Sequence, residues 1–168
     1  MTDFIDIFSK CEAKVKDTIS FEPKIMELVQ KVEAKNESKR EYGDTFQSIL
    51  ESFKPNELPA GIVSVDRLGS TSDNNITAQD NYHIKCTLIL VVAERTLQAA
   101  LSKAQKIIFF AETVIKNQRS GQMNYSGFDG VTEIMPTTNF EYSEVNNKFV
   151  VIATMEFTIL SIQEFVIS

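Results

Sequence analysis

The chain has few cysteine and histidine residues. It contains two cysteines, Cys11 and Cys86, and a single histidine, His83. The cysteines lie far apart in the sequence and form no metal-binding or redox spacing. His83 stands three positions from Cys86 on a predicted strand, and side chains an odd number apart point to opposite faces. A local Cys-His dyad is therefore excluded, and buried free thiols in a reducing compartment are expected.

The sequence also has no tract of lysine and arginine and no long apolar run. Its net charge is −6, so it offers no basic footprint for phosphates, and sequence-specific nucleic-acid binding is not expected. No apolar stretch approaches the roughly 20 residues that a membrane-spanning helix needs. The acidic residues 1–6 predict no secretion signal. These absences predict a protein that folds in the cytoplasm and makes no membrane contact.

Two polar motifs match no known cofactor or ion site. Residues 127–130 form a Gly-Phe-Asp-Gly segment that is too short for a phosphate-binding loop and predicts a tight turn. Asp73, Asn75 and Asp80 could offer oxygen ligands, but their spacing matches no calcium-binding loop. A solvated loop explains them equally well. The sequence gives no positive support for an enzyme, a cofactor or a metal ion.

The strongest pattern that is present is a long amphipathic helix from Leu97 to Gln118, with Thr96 as its N-cap. Its apolar residues recur at the three- and four-residue spacing of one helix face. They are Leu97, Ala100, Leu101, Ala104, Ile107, Ile108, Ala111, Val114 and Ile115. The flanking segments Tyr82–Ala93 and Phe149–Ile162 alternate like β-strands. This order predicts an α+β fold in which a mainly antiparallel sheet packs against a central helix.

The N-terminal part, residues 1–54, is predicted to be helical. A first helix covers about Asp3–Asp17, and a second begins at Pro23 and continues its apolar face to Val32. A dense run of charge at 34–41 then predicts a solvated loop. A third, short helix places apolar side chains on one side and ends before Pro55.

The C-terminal part, residues 59–168, holds the predicted sheet and the central helix. A first strand covers Pro59–Val65, and an antiparallel hairpin joins 131–144 to 149–162 around Asn146 and Asn147, which tolerate positive φ angles. Asp66–Asn81 is rich in Gly, Ser, Asp and Asn. It predicts a hairpin loop or flexible arm that is longer than most connections. With no linker visible, residues 1–168 are one predicted domain.

Two apolar features indicate contacts beyond a one-sided sheet and helix. Phe109 projects roughly 140° from the centre of the core stripe, and Phe110 roughly 120° on the other flank. They form either a subunit contact or a surface that a loop or the N-terminal helices of the same subunit cover. The second face of the last strand is also apolar at its two ends, through Val150, Ile152, Leu160 and Ile162, with polar residues between them. That face meets either a neighbouring subunit or a second layer of the same chain.

The order of these elements resembles that of the tail terminator, or tail completion, proteins of long-tailed bacteriophages and contractile injection particles. The residues that carry the resemblance are the proline-led strand at 58–65, the polar segment after it, Tyr82–Glu94, the helix Leu97–Gln118 and the closing hairpin. The resemblance covers most of the chain from about residue 45 onward. It brings no invariant catalytic or ligand residue.

The resemblance implies a structural protein in the virion tail that forms a ring, usually of six subunits. Its implied partners are other copies of itself, the tail tube protein, a neck or connector protein and the tail sheath protein, with DNA only as passing cargo. The interface residues expected on this basis lie on the central helix and in the polar arm. They are Phe109, Phe110, Asp66, Arg67, Asp73 and Asp80.

Two other functions are compatible with the sequence. One is a different head–tail connector or neck component with a similar α+β ring. The other is a small-ligand-binding α+β domain, which predicts a monomer with a concave apolar pocket.

Overall fold

The computed structural model describes residues 4–35, 45–72, 79–117 and 131–164. Within these ranges one five-stranded sheet has the order β1-β2-β3-β5-β4. All neighbours are antiparallel except β1 and β2. The elements are α1 Phe4–Ser20, α2 Pro23–Met26, β1 Lys31–Ala34, α3 Phe46–Glu51, β2 Ala60–Ser72, β3 Gln79–Glu94, α4 Leu97–Asn117, β4 Val131–Val145 and β5 Lys148–Glu164. The predicted α+β class, with a mostly antiparallel sheet and a long helix, is confirmed.

The central helix α4 packs its predicted stripe against β3 and β5. The backbone N–H of Ala99 donates to Oγ1 of Thr96 at 3.2 Å, which confirms the predicted N-cap. Ala100, Ala104 and Ala111 are fully buried, and their small side chains let the helix approach the sheet closely. Ile107 and Ile115 fill the space between them, and burial of each such side chain stabilises the fold by about 1.5–3 kcal/mol.

Both faces of the sheet have buried side chains within one subunit. Helices α1 and α4 cover one face, whose core includes Val15, Leu90, Ile107 and Met155. Helix α3 and the turn after it cover part of the other face through Ile49 and Phe53, which pack in a second cluster with Val150 and Ile152. For Val150 and Ile152, a second layer of the same chain therefore covers the apolar second face of the last strand.

The second predicted helix is wrong beyond its first turn. Helix α2 ends at Met26, and Val32 lies in strand β1 instead. Val32 and Ala34 are buried while Lys31 and Glu33 are half-buried, which is the alternation of a strand. The pattern from Ile25 to Val32 fits both a helix and a short strand. Parallel pairing of β1 with β2, which no local pattern reveals, decides between them.

The predicted flexible arm is also largely wrong, because most of Asp66–Asn81 is paired β-structure. Strand β2 continues to Ser72 and β3 begins at Gln79, with Thr71 opposite Asn81 and Ser72 opposite Asp80. Cross-strand hydrogen bonds outweigh the low strand propensity of Gly, Ser, Asp and Asn. The remaining residues of the predicted arm, 73–78, and the predicted loop at 119–130 lie outside the described residues.

The closing hairpin is confirmed. Strands β4 and β5 are joined by Asn146 and Asn147, whose φ angles are 51° and 63°. Positive φ at both central residues is the geometry of a type I′ turn, whose twist matches that of the strands. The turn fixes the register of β4 on β5, and β4 becomes the last strand of the sheet.

Candidate interaction surfaces

The two aromatic residues of α4 that were predicted as interface residues lie in different surroundings. Phe109 is 63% exposed on the outer side of the helix. Phe110 is half-buried and packs against the main core, and the ammonium of Lys24 lies 5.7 Å from its ring centroid. The two rings are 6.0 Å apart and tilted by 58°. Cover by the N-terminal helices is thus correct for Phe110, whereas Phe109 has an apolar ring exposed in the subunit.

The other predicted contact residues belong to the β2–β3 ladder or fall outside the description. Asp66 pairs with Lys85 and Arg67 with Ile84, just before a bulge. Asp80 lies several rows away, at the start of β3. Asp73 lies outside the described residues. Asp66 and Arg67 are consecutive on one strand and belong to opposite faces of the sheet, and the ladder holds Asp80 apart from both.

The edge strand β4 carries a surface that the sequence did not reveal. Tyr142 is 61% exposed, and Asn139, Glu141, Ser143 and Glu144 are also exposed. In the part of the chain that the structure describes, β4 pairs only with β5. The sequence predicted the strand as one arm of the closing hairpin, but its place at the edge depends on the strand order, for which the sequence has no local signal.

The turn geometry defines which backbone groups of β4 face the open edge. A two-residue turn puts the flanking residues, Val145 and Lys148, in a hydrogen-bonded pair. Because bonded and non-bonded pairs alternate in an antiparallel ladder, the odd-numbered residues from 137 to 145 bond β5. The N–H and C=O groups of Thr138, Phe140, Tyr142 and Glu144 then point away from the sheet.

One polar cluster lies inside the subunit, between α1 and the sheet. Glu12 is 1% exposed, and its Oε2 accepts the backbone N–H of Val65 at 3.3 Å. Cys11 and Cys86 are both fully buried, and neither forms a disulfide. The spacing already contained a signal for Glu12, because it is four residues after Phe8 and three before Val15 on the helical stripe.

The interior cluster is poorly suited to nucleophilic chemistry. Burial raises the pKa of the Cys86 thiol well above its ordinary value, and the neighbouring Cys11 and Glu12 raise it further. Since the thiolate is the reactive form, Cys86 stays protonated and unreactive at neutral pH. Within the described ranges, no three His, Cys, Asp or Glu side chains group closely enough to hold a metal ion.

Comparison with known proteins adds no assignment. The chain matches no protein-family model, and no curated protein matches it at a significant level. Among the described residues, none of the helices has the length and apolar character required to cross a bilayer.

Proposed function

We propose that this protein is a structural subunit of a ring that closes the head-proximal end of a phage tail tube and joins it to the neck. The equivalent position in a contractile injection particle fits the same proposal. The order of strands and of the long helix supports it, through the resemblance to tail terminator proteins. The observation that carries it is the exposed ring of Phe109 on the outer side of α4, because aromatic side chains are enriched at the centres of protein–protein interfaces.

The proposed partners follow from the ring. Six copies contact one another, one rim binds the tube, and the other meets the neck or connector protein, with sheath protein alongside in a contractile tail. The net charge of −6 suits a channel through which DNA passes, because a repulsive wall prevents sticking. On this proposal DNA is cargo and forms no specific complex.

A tube-capping assay tests the proposal. Tube protein assembled with wild-type chain should give short tubes with one closed end in negative-stain images. Phe109→Glu puts a charge on the proposed subunit contact and should give long, uncapped tubes. Gln98→Glu adds the same charge at an exposed position at the start of α4 and should cap normally. Uncapped tubes with the wild-type chain would contradict the proposal.

The tip of the β2–β3 hairpin is the proposed contact with the tube or neck. A deletion of 71–78 would remove Thr71 and Ser72 from the ladder, so the sharper variant replaces only 73–78 with Asn-Gly. The connection between the paired residues Ser72 and Asp80 then consists of Asn, Gly and Gln79, and antiparallel hairpins accept three residues. The variant should form rings that no longer cap tubes. Normal capping would remove the tip from the proposal.

The same assay separates the neighbouring functions. A ring that binds neck protein but leaves tube length unchanged would indicate another connector component. A monomer that is stabilised saturably by a small molecule would indicate a ligand-binding domain.

A further inference from the structure

We infer that subunits assemble by adding the β4 edge of one copy to the β2 edge of the next, so that one sheet continues across the contact. This inference rests on the ring proposed above and specifies how its subunits join. Unpaired edge strands are templates for such pairing, since their backbone groups have no partner in the sheet.

The first edge is the regular part of β4. Its pairing with β5 is irregular between Val131 and Thr137, a stretch that includes Pro136, and regular from there to Val145. From Thr138 to Glu144, the backbone N–H and C=O groups of every second residue face outward. The side chains of residues 141–144 are exposed, and Tyr142 is the large aromatic one among them.

The second edge is the far half of β2. Strand β1 covers only Ala60–Val63, and the N–H of Lys35 extends this cover by donating to the carbonyl of Val63 at 2.9 Å. Glu12 then accepts the N–H of Val65. Beyond that point, residues 66–72 have no described strand on their outer side. The two open stretches are similar in length.

Strand direction allows the two edges to pair in a closed ring. From β2 to β3, β5 and β4 the direction reverses at each step, so β4 runs opposite to β2. Copies in the same orientation therefore meet with antiparallel edges, the more stable arrangement. A contact between two different edges is heterologous, and it generates a ring when the rotation closes.

Charge favours this pairing over two β4 strands about a two-fold axis. Residues 131–145 contain three glutamates and no lysine or arginine, so paired β4 strands would bring like charges together. On the other edge, residues 66–72 contain one basic residue, Arg67, and one acidic residue, Asp66. The exposed Lys35 adds a positive charge at the point where β1 ends.

The first test separates backbone pairing from side-chain contact at one position. Tyr142→Pro removes an N–H that faces the open edge and leaves the β5 ladder intact. Tyr142→Thr removes the same ring but keeps the N–H. The inference predicts that the Thr variant assembles within threefold of the wild-type association constant and that the Pro variant stays a folded monomer. Equal assembly of both would overturn it.

Hydrogen exchange followed by mass spectrometry supplies the second test and identifies the partner edge. On assembly, amide exchange should slow at least tenfold at alternate residues of 138–144 and within 66–72. The central stretch 87–92 of β3 serves as the control and should not change. Protection of β4 alone would overturn pairing with β2. Wild-type rings without protection at either edge would overturn the inference and leave the proposed function standing, whereas a monomer even with tube protein would overturn both.

Discussion

The carboxylate of Glu12 in α1 accepts the backbone N–H of Val65 at the point where β1 no longer covers β2. A buried acid here replaces the hydrogen-bond partner that a strand would provide. The contact also fixes the first helix on the sheet beside the two buried thiols. It therefore links the N-terminal helix, the sheet edge and the core.

Removing this acceptor should lower the free energy of unfolding. Glu12→Leu keeps an apolar volume but leaves the N–H of Val65 without its acceptor, at a cost of about 1–3 kcal/mol. Glu12→Gln retains an acceptor oxygen and should cost less. Urea denaturation of both variants measures the difference, and equal losses would show that the hydrogen bond contributes nothing.

Stability should fall in alkaline solution because of Cys86. Burial raises the pKa of this thiol well above its ordinary value of 9.0, so above pH 9 the unfolded chain loses a proton that the native protein keeps. The unfolded state then binds fewer protons, and stability decreases by about 1.4 kcal/mol per pH unit from this group. Below pH 9 the thiol is protonated in both the folded and the unfolded state, so the stability no longer depends on pH through Cys86.

The alkaline loss can be assigned by substitution. Urea denaturation between pH 9 and 10.5 should show a shallower pH dependence for Cys86→Ala than for the wild type. Identical slopes would mean that Cys86 ionises equally in the folded and unfolded states.

Truncation should destabilise the dilute monomer on the buried side of α4 and have little effect on its exposed side. Ile107 is 1% exposed, and Ile107→Ala should cost about 2–5 kcal/mol of unfolding free energy. Phe109→Ala should stay within about 0.5 kcal/mol of the wild type, because this ring packs little in the subunit. A large loss from Phe109→Ala in the monomer would show that the ring is a core residue.

The turn between β4 and β5 should prefer glycine at its second position. Asn147 has a φ of 63°, a left-handed backbone conformation that residues with a Cβ adopt only at a cost in free energy. Asn147→Ala should lower the free energy of unfolding by about 1 kcal/mol, while Asn147→Gly should preserve or raise it. Thermal denaturation followed by circular dichroism distinguishes the two, and an Ala variant as stable as the Gly variant would contradict the turn geometry.

Local pattern predicted the elements whose own residues determine them. The stripe of α4, the alternation of β3 and β5 and the Asn146–Asn147 turn needed no tertiary information. Strand β1 and the far half of β2 were missed because pairing with distant residues overrides weak local preference. The exposure of Phe109 was one of two open alternatives, since sequence alone does not show which surface the N-terminal helices cover.

Light scattering over a concentration series, with negative-stain images of the heaviest species, measures whether the subunits form the proposed ring. We expect closed rings near six times the 19.0 kDa of one chain, weakened by Phe109→Glu and not by Gln98→Glu. A strict monomer at every concentration, unchanged when tube protein is added, would contradict it.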